Sequence, residues 1–118
     1  MAKILIVDDE VEICKVLQGF LRNLGYETEY ATSGEEALAL AERERPDLVL
    51  LDIRMPGMDG VQLLRRFKEM DPDVKVIMVT GVTDEDIGRA LLKYGASDYI
   101  TKPIDFRYLE TSVLSNLL

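Results

Sequence analysis

The sequence predicts an α/β fold in which a doubly wound parallel sheet of five strands is covered by five helices. Apolar runs of strand length alternate along the chain with segments of helical periodicity. The strongest runs, Leu48–Leu51 among them, are nearly continuously apolar, which is typical of strands buried on both faces. Because each strand leads into a helix, right-handed crossovers make the strands parallel.

Five segments are the predicted strands. Three are strongly apolar, whereas the second and fifth are more polar and are expected at the edges of the sheet. In chain order the strands are Lys3–Val7, Tyr26–Tyr30, Asp47–Leu51, Val74–Val79 and Asp98–Thr101.

The first two helices have clear ends. Helix 1 is predicted over Val11–Leu24, with Gly25 as its C-cap. Its apolar face comprises Ile13, Leu17, Phe20 and Leu24. Helix 2 opens at the capping box Ser33–Glu36 and ends ahead of Pro46. Its inward residues are Ala37, Leu38 and Ala41.

The other three helices begin at predicted N-caps, namely Asp59, Thr83 and Asp105. The apolar stripe of helix 3 contains Val61, Leu64 and Phe67. Helix 4 ends at Gly95, and its apolar residues are Ile87, Ala90 and Leu91. The inward residues of helix 5 are Leu109, Val113 and Leu117.

Length and composition limit the function. The 118 residues suit one domain, expected to span residues 1–118. A net charge of −8 opposes direct binding of nucleic acid. No apolar run approaches the roughly 20 residues of a membrane-spanning helix, and the N-terminus lacks a signal-peptide layout. We therefore expect a cytoplasmic domain without membrane contact.

The chain contains no histidine. This excludes the usual zinc sites, histidine-based acid–base catalysis and Ser-His-Asp triads, and it excludes a phosphohistidine on this chain. The single cysteine, Cys14, lies among apolar residues and is expected to be a buried small hydrophobe.

Polar residues follow the predicted strands where a doubly wound sheet binds its ligands, beyond the carboxyl ends of the strands. Two carboxylates about 4 Å apart repel by roughly 4 kcal/mol at an effective dielectric constant of about 20, so a cluster of three needs a cation. Oxygen ligands without His or Cys favour Mg²⁺. The residues are Asp8, Asp9 and Glu10 after the first strand, Asp52 after the third, Thr80 after the fourth, and Lys102 and Pro103 after the fifth.

Each of these residues also has an ordinary structural interpretation. Asp9 alone fits an N-cap of helix 1, and Asp52 alone fits a loop residue. Facing an acidic pair, however, Asp52 is a credible nucleophile towards phosphorus. Thr80 and Lys102 supply a hydroxyl and an ammonium for a phosphoryl group, although a turn residue and a surface cation are the alternatives. A cis bond at Pro103 would aim the lysine inward.

The motifs around these positions resemble bacterial response-regulator receiver domains. The segments that carry the resemblance are Asp8–Glu10, Leu51–Gly60, Thr80–Gly81 and Gly95–Pro103, and they occur in the family's order over the whole chain. The resemblance implies a flavodoxin-like, receiver-type fold with strand order 2-1-3-4-5. One mild departure is Gly81, where the family commonly has Ala; this departure bears on the lifetime of the phosphorylated form.

The resemblance also implies roles at matching positions. Asp52 would be the phosphoacceptor. Asp9 and Asp52 would bind Mg²⁺ directly together with the backbone carbonyl of Arg54, and Asp8 would act largely through water. Thr80 and Lys102 would hold the phosphoryl group. The side-chain rotamer of Tyr99 would follow Thr80, although an ordinary half-buried strand aromatic is the alternative for that residue.

The function implied by the resemblance is that of a phosphoacceptor in a two-component phosphorelay rather than an enzyme with an external substrate. The partner would be a sensor histidine kinase or a phosphotransfer protein. The response would occur on the face formed by helix 4, strand 5 and helix 5, from about Asp84 through Leu118, and would act on an output domain or a partner protein. A homodimer that forms on phosphorylation is left open.

Three rival functions fit these residues less well. A flavin-binding domain needs a phosphate loop after the first strand, where the acidic residues would repel a phosphate. An aspartyl-phosphate hydrolase of similar fold would place its nucleophile after the first strand in an Asp-x-Asp pattern, whereas the acids here are adjacent and the nucleophile follows the third strand. A receiver-like scaffold that takes no phosphate would usually lack one of the key residues. All five are present here, namely Asp8, Asp9, Asp52, Thr80 and Lys102.

Overall fold

The computed structural model describes residues 1–55, 57, 59–81 and 85–118, with the backbone alone at residues 85 and 88. Over these residues the strands form one parallel sheet in the order β2-β1-β3-β4-β5, which confirms the predicted fold class. The strands are β1 Lys3–Val7, β2 Glu27–Ala31, β3 Leu48–Asp52, β4 Lys75–Thr80 and β5 Asp98–Thr101. The helices are α1 Val11–Asn23, α2 Gly34–Arg43, α3 Gly60–Met70, α4 Glu85–Leu91, continued by a 3₁₀ turn at Leu92–Tyr94, and α5 Phe106–Leu117.

The bounds of β1 and β5 match the prediction, but β2, β3 and β4 each begin and end one residue later than predicted. The N–H of Tyr26 shows why for β2, since it donates to the carbonyl of Leu21 at the end of α1 instead of joining the sheet. At the other ends, Asp52 pairs with Val79 and Thr80 pairs with Thr101. Asp52 and Thr80 are therefore the last residues of their strands, and the sheet itself holds their backbones.

Helices cover both faces of the sheet, as the continuously apolar strands require. Successive strand residues face opposite layers, so Leu5 and Val7 contribute to one core cluster and Ile4 and Ile6 to the other. The first cluster packs under α2 and α3, and the second packs under α1 and α5.

Two predicted helix faces were partly wrong. In α1 the buried residues are Cys14, Leu17 and Leu21, whereas Leu24 is an exposed C-cap residue beyond the helix. The apolar stripe is rotated from the predicted one, because Ile13 and Phe20 are only half-buried at its margin. In α4, Leu91 is buried but Ile87 and Ala90 are exposed. Thr83 and Asp84 lie outside the described residues.

Gly25, predicted as the C-cap of helix 1, instead follows the C-cap residue Leu24 and adopts a φ of 97°. The other predicted caps among the described residues, and the other predicted faces, are present. Ser33 accepts from the N–H of Glu36, Asp59 accepts from the N–H of Gln62, and Asp105 accepts from two N–H groups of α5. Gly95, at φ 103°, ends the 3₁₀ turn in the left-handed conformation. The predicted inward residues of α2, α3 and α5 are buried except Val61 and Leu117, which are partly buried.

Gly60 allows the first turn of α3 to approach the end of β3. A Cβ atom at this position would lie 2.8 Å from the Cα of Ile53, and the N–H of Gly60 donates to the Ile53 carbonyl. The loop that follows Asp52 is thus held close to α3 by a contact that only glycine permits.

Cys14 is fully buried, as predicted, and its thiol donates to the backbone carbonyl of Asp8. Burial is the main cause that raises the pKa of this thiol to about 11. Within the described residues, no helix combines the length and apolar character that a membrane span requires.

Candidate functional site

The predicted site residues meet at the carboxyl edge of the sheet. β1 and β3 are neighbours at its centre, so Asp8, directly after β1, lies beside Asp52 at the end of β3. Lys102 follows β5, and its backbone N–H donates to the carbonyl of Thr80 at 2.7 Å. This bond ties the lysine to the end of β4 and directs the segment after β5 towards the acids.

Lys102 links the two buried carboxylates. Its Nζ lies 3.1 Å from Asp52 Oδ2 and 3.3 Å from Asp8 Oδ2. Asp8 is 3% exposed and Asp52 is 7% exposed. The second oxygen of each carboxylate is held by a backbone N–H, from Glu10 to Asp8 and from Arg54 to Asp52. Both acids are thus fixed in orientation, with one ammonium between them.

The one ammonium of Lys102 lies between two buried carboxylates, so positive and negative charge are not equal at this point. Burial is the main cause that raises the pKa of Asp52, with a further contribution from Asp8, and it outweighs the opposing effects of the Arg54 N–H and of Lys102. For Lys102, burial acts to lower the pKa, but the carboxylates of Asp52 and Asp8 prevail and raise it. The lysine is therefore held protonated, yet its single charge leaves Asp52 in an environment that disfavours a carboxylate. Additional positive charge would stabilise this site.

The acids after β1 form a compact cluster. Asp8, Asp9 and Glu10 each offer a carboxylate oxygen within 4.8 Å of the others, and the last two are exposed. Glu10 was not among the predicted ligands, although its adjacency in the sequence was a usable signal. Asp52 is connected to this cluster through Lys102. The predicted metal site, formed by Asp8, Asp9, Asp52 and the Arg54 carbonyl, stays a prediction.

Thr80 is fully buried and its hydroxyl has no hydrogen-bond partner in the described part of the chain. Thr28, on β2, is the other described residue with such a hydroxyl. An unpaired buried hydroxyl is costly, since its water contacts are lost without replacement. Thr80 thus carries an unused donor at the end of the strand beside Asp52.

Tyr99 lies on the same face of the sheet as Thr80. Thr80 is the ladder partner of Thr101, and Tyr99 is two residues from Thr101 on β5. Tyr99 is half-buried and packs against the core cluster under α2 and α3.

The Lys102–Pro103 peptide bond is cis, the isomer for which the sequence made Pro103 a candidate.

An apolar cleft of about 360 Å³ borders the site on the α1 side. Lys102, whose Nζ contacts Asp52, is one of the residues that line this cleft. Phe106, one of the lining residues, makes an edge-on contact with Phe20 at 4.9 Å between ring centroids. The cleft is lined by Glu12, Ile13, Val16, Leu17, Lys102, Pro103, Ile104 and Phe106.

Comparison with known proteins gives consistent matches. The profile of the response regulator receiver domain family matches residues 4–114. The transcriptional regulatory protein ZraR of Salmonella typhimurium is 40% identical over 110 residues, which are 93% of this chain and 25% of that protein. Sporulation initiation phosphotransferase F of Bacillus subtilis is 40% identical over 111 residues, which are 94% of this chain and 90% of that protein.

A solved structure shows the same fold. A response regulator receiver domain protein from Clostridium thermocellum has a TM-score of 0.94 and 32% identity, over 99% of this chain and 94% of that one. The chain spans about a quarter of the length of the ZraR relatives.

Proposed function

The chain belongs to the response regulator receiver domain family, and from that premise we propose that Asp52 is the phosphoacceptor of a two-component phosphorelay. The donor is a phosphohistidine on a sensor histidine kinase or a phosphotransfer protein, and the reaction depends on Mg²⁺. The phosphorylated domain then changes the face formed by α4, β5 and α5, which acts on an output domain or a partner protein.

The single observation that carries this proposal is the pairing of a buried, oriented carboxylate with a lysine at the carboxyl edge of the sheet. Asp52 Oδ1 is fixed by the Arg54 N–H, and Oδ2 lies 3.1 Å from Lys102 Nζ. In the transfer step, a carboxylate oxygen of Asp52 bonds to phosphorus while the bond from phosphorus to the donor imidazole nitrogen breaks. The electron pair of that bond leaves with the imidazole, which takes up a proton from solvent.

The donor atoms at the site fit a divalent metal with oxygen ligands. Asp9 and Asp52, with the backbone carbonyl of Arg54, would hold Mg²⁺, and Asp8 would act largely through water. The raised pKa of Asp52 supports this fit, because burial, its main cause, disfavours the charged carboxylate, and a bound cation would offset that cost. When bound, Mg²⁺ supplies charge neutralisation between the acids and the phosphoryl oxygens.

Thr80 and Lys102 are the residues that bind the transferred group. An acyl phosphate brings roughly two negative charges. Lys102 already lies beside Asp52 and pairs with one phosphoryl oxygen, while the unpaired Thr80 hydroxyl donates to another. The phosphoryl group thus gives a buried donor its first partner, and this free-energy gain favours a state in which Thr80 has moved towards Asp52.

The movement of Thr80 vacates space that Tyr99 fills. The two residues share a face of the sheet on neighbouring strands, and Tyr99 is large and half-buried. Its inward rotation alters the outer surface of β5 and of the helices that flank it. This links the chemistry at Asp52 to the face that a partner contacts.

The apolar cleft beside Lys102 is the surface that a phosphodonor contacts as it brings its imidazole to Asp52. It is open and apolar, and Lys102, which contacts Asp52, is one of its lining residues. A partner that covers it also removes water from around Asp52, which strengthens the electrostatic contacts there.

The test is phosphorylation by a small acyl phosphate, followed by intact mass. Wild type is incubated with acetyl phosphate and Mg²⁺ or with a chelator, beside Asp52→Asn and the control Asp73→Asn, an exposed acid in the turn before β4. Mass should rise by one phosphoryl group in wild type and Asp73→Asn, only with metal. Labelling of Asp52→Asn equal to that of wild type would disprove Asp52 as the phosphoacceptor. Absence of labelling in wild type would favour a receiver-like scaffold that takes no phosphate, and turnover of an external phosphomonoester would favour an aspartyl-phosphate hydrolase.

A further inference from the structure

A carboxylate at the start of β5 joins the strand to α5. Asp98 Oδ2 accepts hydrogen bonds from the Tyr108 hydroxyl at 2.7 Å and from the Ser112 hydroxyl at 2.5 Å. Its Oδ1 accepts the backbone N–H of Tyr99 at 2.8 Å. Tyr108 and Ser112 are four residues apart, one turn of α5, so they face β5 together. One side chain thereby holds the backbone of a strand and two positions on a helix.

Three hydrogen-bond donors, and no cationic side chain, hold the Asp98 carboxylate among the described residues. None of the ion pairs in the described part of the chain includes this residue. Hydrogen bonds to an ionised acceptor are about twice as strong as neutral ones, and Ser112 is buried, so loss of its partner would leave an unsatisfied hydroxyl. The Tyr108 bond is also the main cause that raises the pKa of that phenol to about 12.

The position of this group on β5 gives it a role beyond holding two elements together. Asp98 and Ile100 face α5, since Ile100 shares a core cluster with Leu109 and Val113. Tyr99 faces the opposite layer. Apolar contacts between β5 and α5 are non-directional, whereas the carboxylate fixes α5 relative to the backbone of Tyr99. A displacement at Tyr99 therefore reaches the helix on the other face through Asp98.

We propose that Asp98 is a positioning residue that couples Tyr99 to α5 through Tyr108 and Ser112. This inference rests on the proposed function, because it concerns how a signal that begins at Asp52 reaches α5. Without the two hydroxyl bonds, α5 stays on the sheet through its apolar residues but no longer follows the movement of β5.

The test compares Tyr108→Phe, Ser112→Ala and their double variant with wild type. Matched controls are Tyr94→Phe and Ser115→Ala, which are exposed positions whose hydroxyls have no described partner. Amide NMR shifts are recorded with Mg²⁺, with and without beryllofluoride, a mimic of the phosphoryl group. Amide hydrogen exchange of residues 106–117 is measured in the free protein.

In the double variant, beryllofluoride should still shift the amides of β3 and β4, while the shifts in residues 106–117 fall to less than half of the wild-type values. Exchange of α5 amides should rise roughly tenfold, the effect of losing charge-assisted bonds. The controls should match wild type. The inference would be overturned if beryllofluoride shifted the α5 amides of the double variant as much as those of wild type. It would also be overturned if the wild-type amides shifted in β3 and β4 but not in α5. If beryllofluoride did not bind wild type, the proposed function would be refuted instead. In that case, α5 amides of the double variant that exchange as slowly as those of wild type would also refute the role of Asp98 in holding α5.

Discussion

Thr80→Val tests whether the Thr80 hydroxyl lacks a hydrogen-bond partner in the free domain. Valine has nearly the shape of threonine, so the substitution removes the hydroxyl with little change in packing. Thr80 is 0% exposed, and its Oγ1 has no partner among the described residues. Burial of an unpaired hydroxyl costs about 1–3 kcal/mol in protein mutational data. We therefore expect Thr80→Val to stabilise the free domain by about 1–2 kcal/mol.

The expected change in melting temperature follows from the size of the domain. An unfolding entropy of about 2.1 cal/mol/K per residue gives roughly 0.25 kcal/mol/K for this chain, so the melting temperature should rise by about 4–8 °C. The assay is thermal and urea unfolding without Mg²⁺ or phosphodonor. In the same variant, beryllofluoride should produce little shift in the amides of residues 85–118, because the proposed function needs a hydroxyl at position 80 to donate to the phosphoryl group or its mimic.

Thr28→Val is the matched control. It removes the other described unpaired hydroxyl, on β2, and should also stabilise the domain while leaving the response to beryllofluoride intact. If Thr80→Val instead lowered the free energy of unfolding by about 1 kcal/mol or more, the hydroxyl would already have a partner in the free state. The idea that the phosphoryl group supplies its first partner would then be refuted.

Three further predictions concern the metal, the loop after β3 and pH. Mg²⁺ at about 100 times its Kd should stabilise wild type by roughly 2.7 kcal/mol; an equal shift of the melting temperature in Asp9→Ala would remove Asp9 as a ligand. Gly60→Ala should destabilise by about 1–3 kcal/mol in urea, because its Cβ would meet backbone at 2.8 Å, whereas the control Gly19→Ala, in open space on α1, should stabilise by about 1 kcal/mol. Since folding raises the pKa of Tyr108 from 10.0 to about 12, its contribution to stability is complete below pH 10 and lost by pH 12; wild type should therefore lose stability relative to Tyr108→Phe across this range, and parallel urea curves at pH 9 and 11 would contradict the assignment.

The sheet could be predicted because its strongest strands are apolar on both faces, a pattern that neither a half-exposed strand nor an amphipathic helix produces. The sequence was less accurate where a boundary depends on tertiary hydrogen bonds. Tyr26 looks like a strand residue, but its N–H is taken by the end of α1. In α4, Ile87 has the correct spacing for an inward face and is nevertheless exposed, because spacing alone does not show which apolar residues are covered.

The residues that meet at the candidate site could be predicted, but their contacts could not. The motifs identified Asp8, Asp52 and Lys102, yet the lysine is 94 residues from one partner and 50 from the other, and their pairing forms only in the folded chain. The bonds that join Asp98 to α5 belong to no motif, since a tyrosine and a serine one turn apart are common on helix surfaces. Only the fold shows that both hydroxyls meet one carboxylate.

The most direct test of the central claim is to locate the phosphoryl group on the chain. Wild type is phosphorylated with Mg²⁺, reduced with borohydride to mark the acylated side chain, digested and sequenced by mass spectrometry. The proposed function predicts a single modified residue, Asp52, in the peptide that contains the end of β3. Modification at Asp8 or Asp9 with Asp52 unmodified would contradict it, because the pairing of Asp52 with Lys102 would then not define the phosphoacceptor.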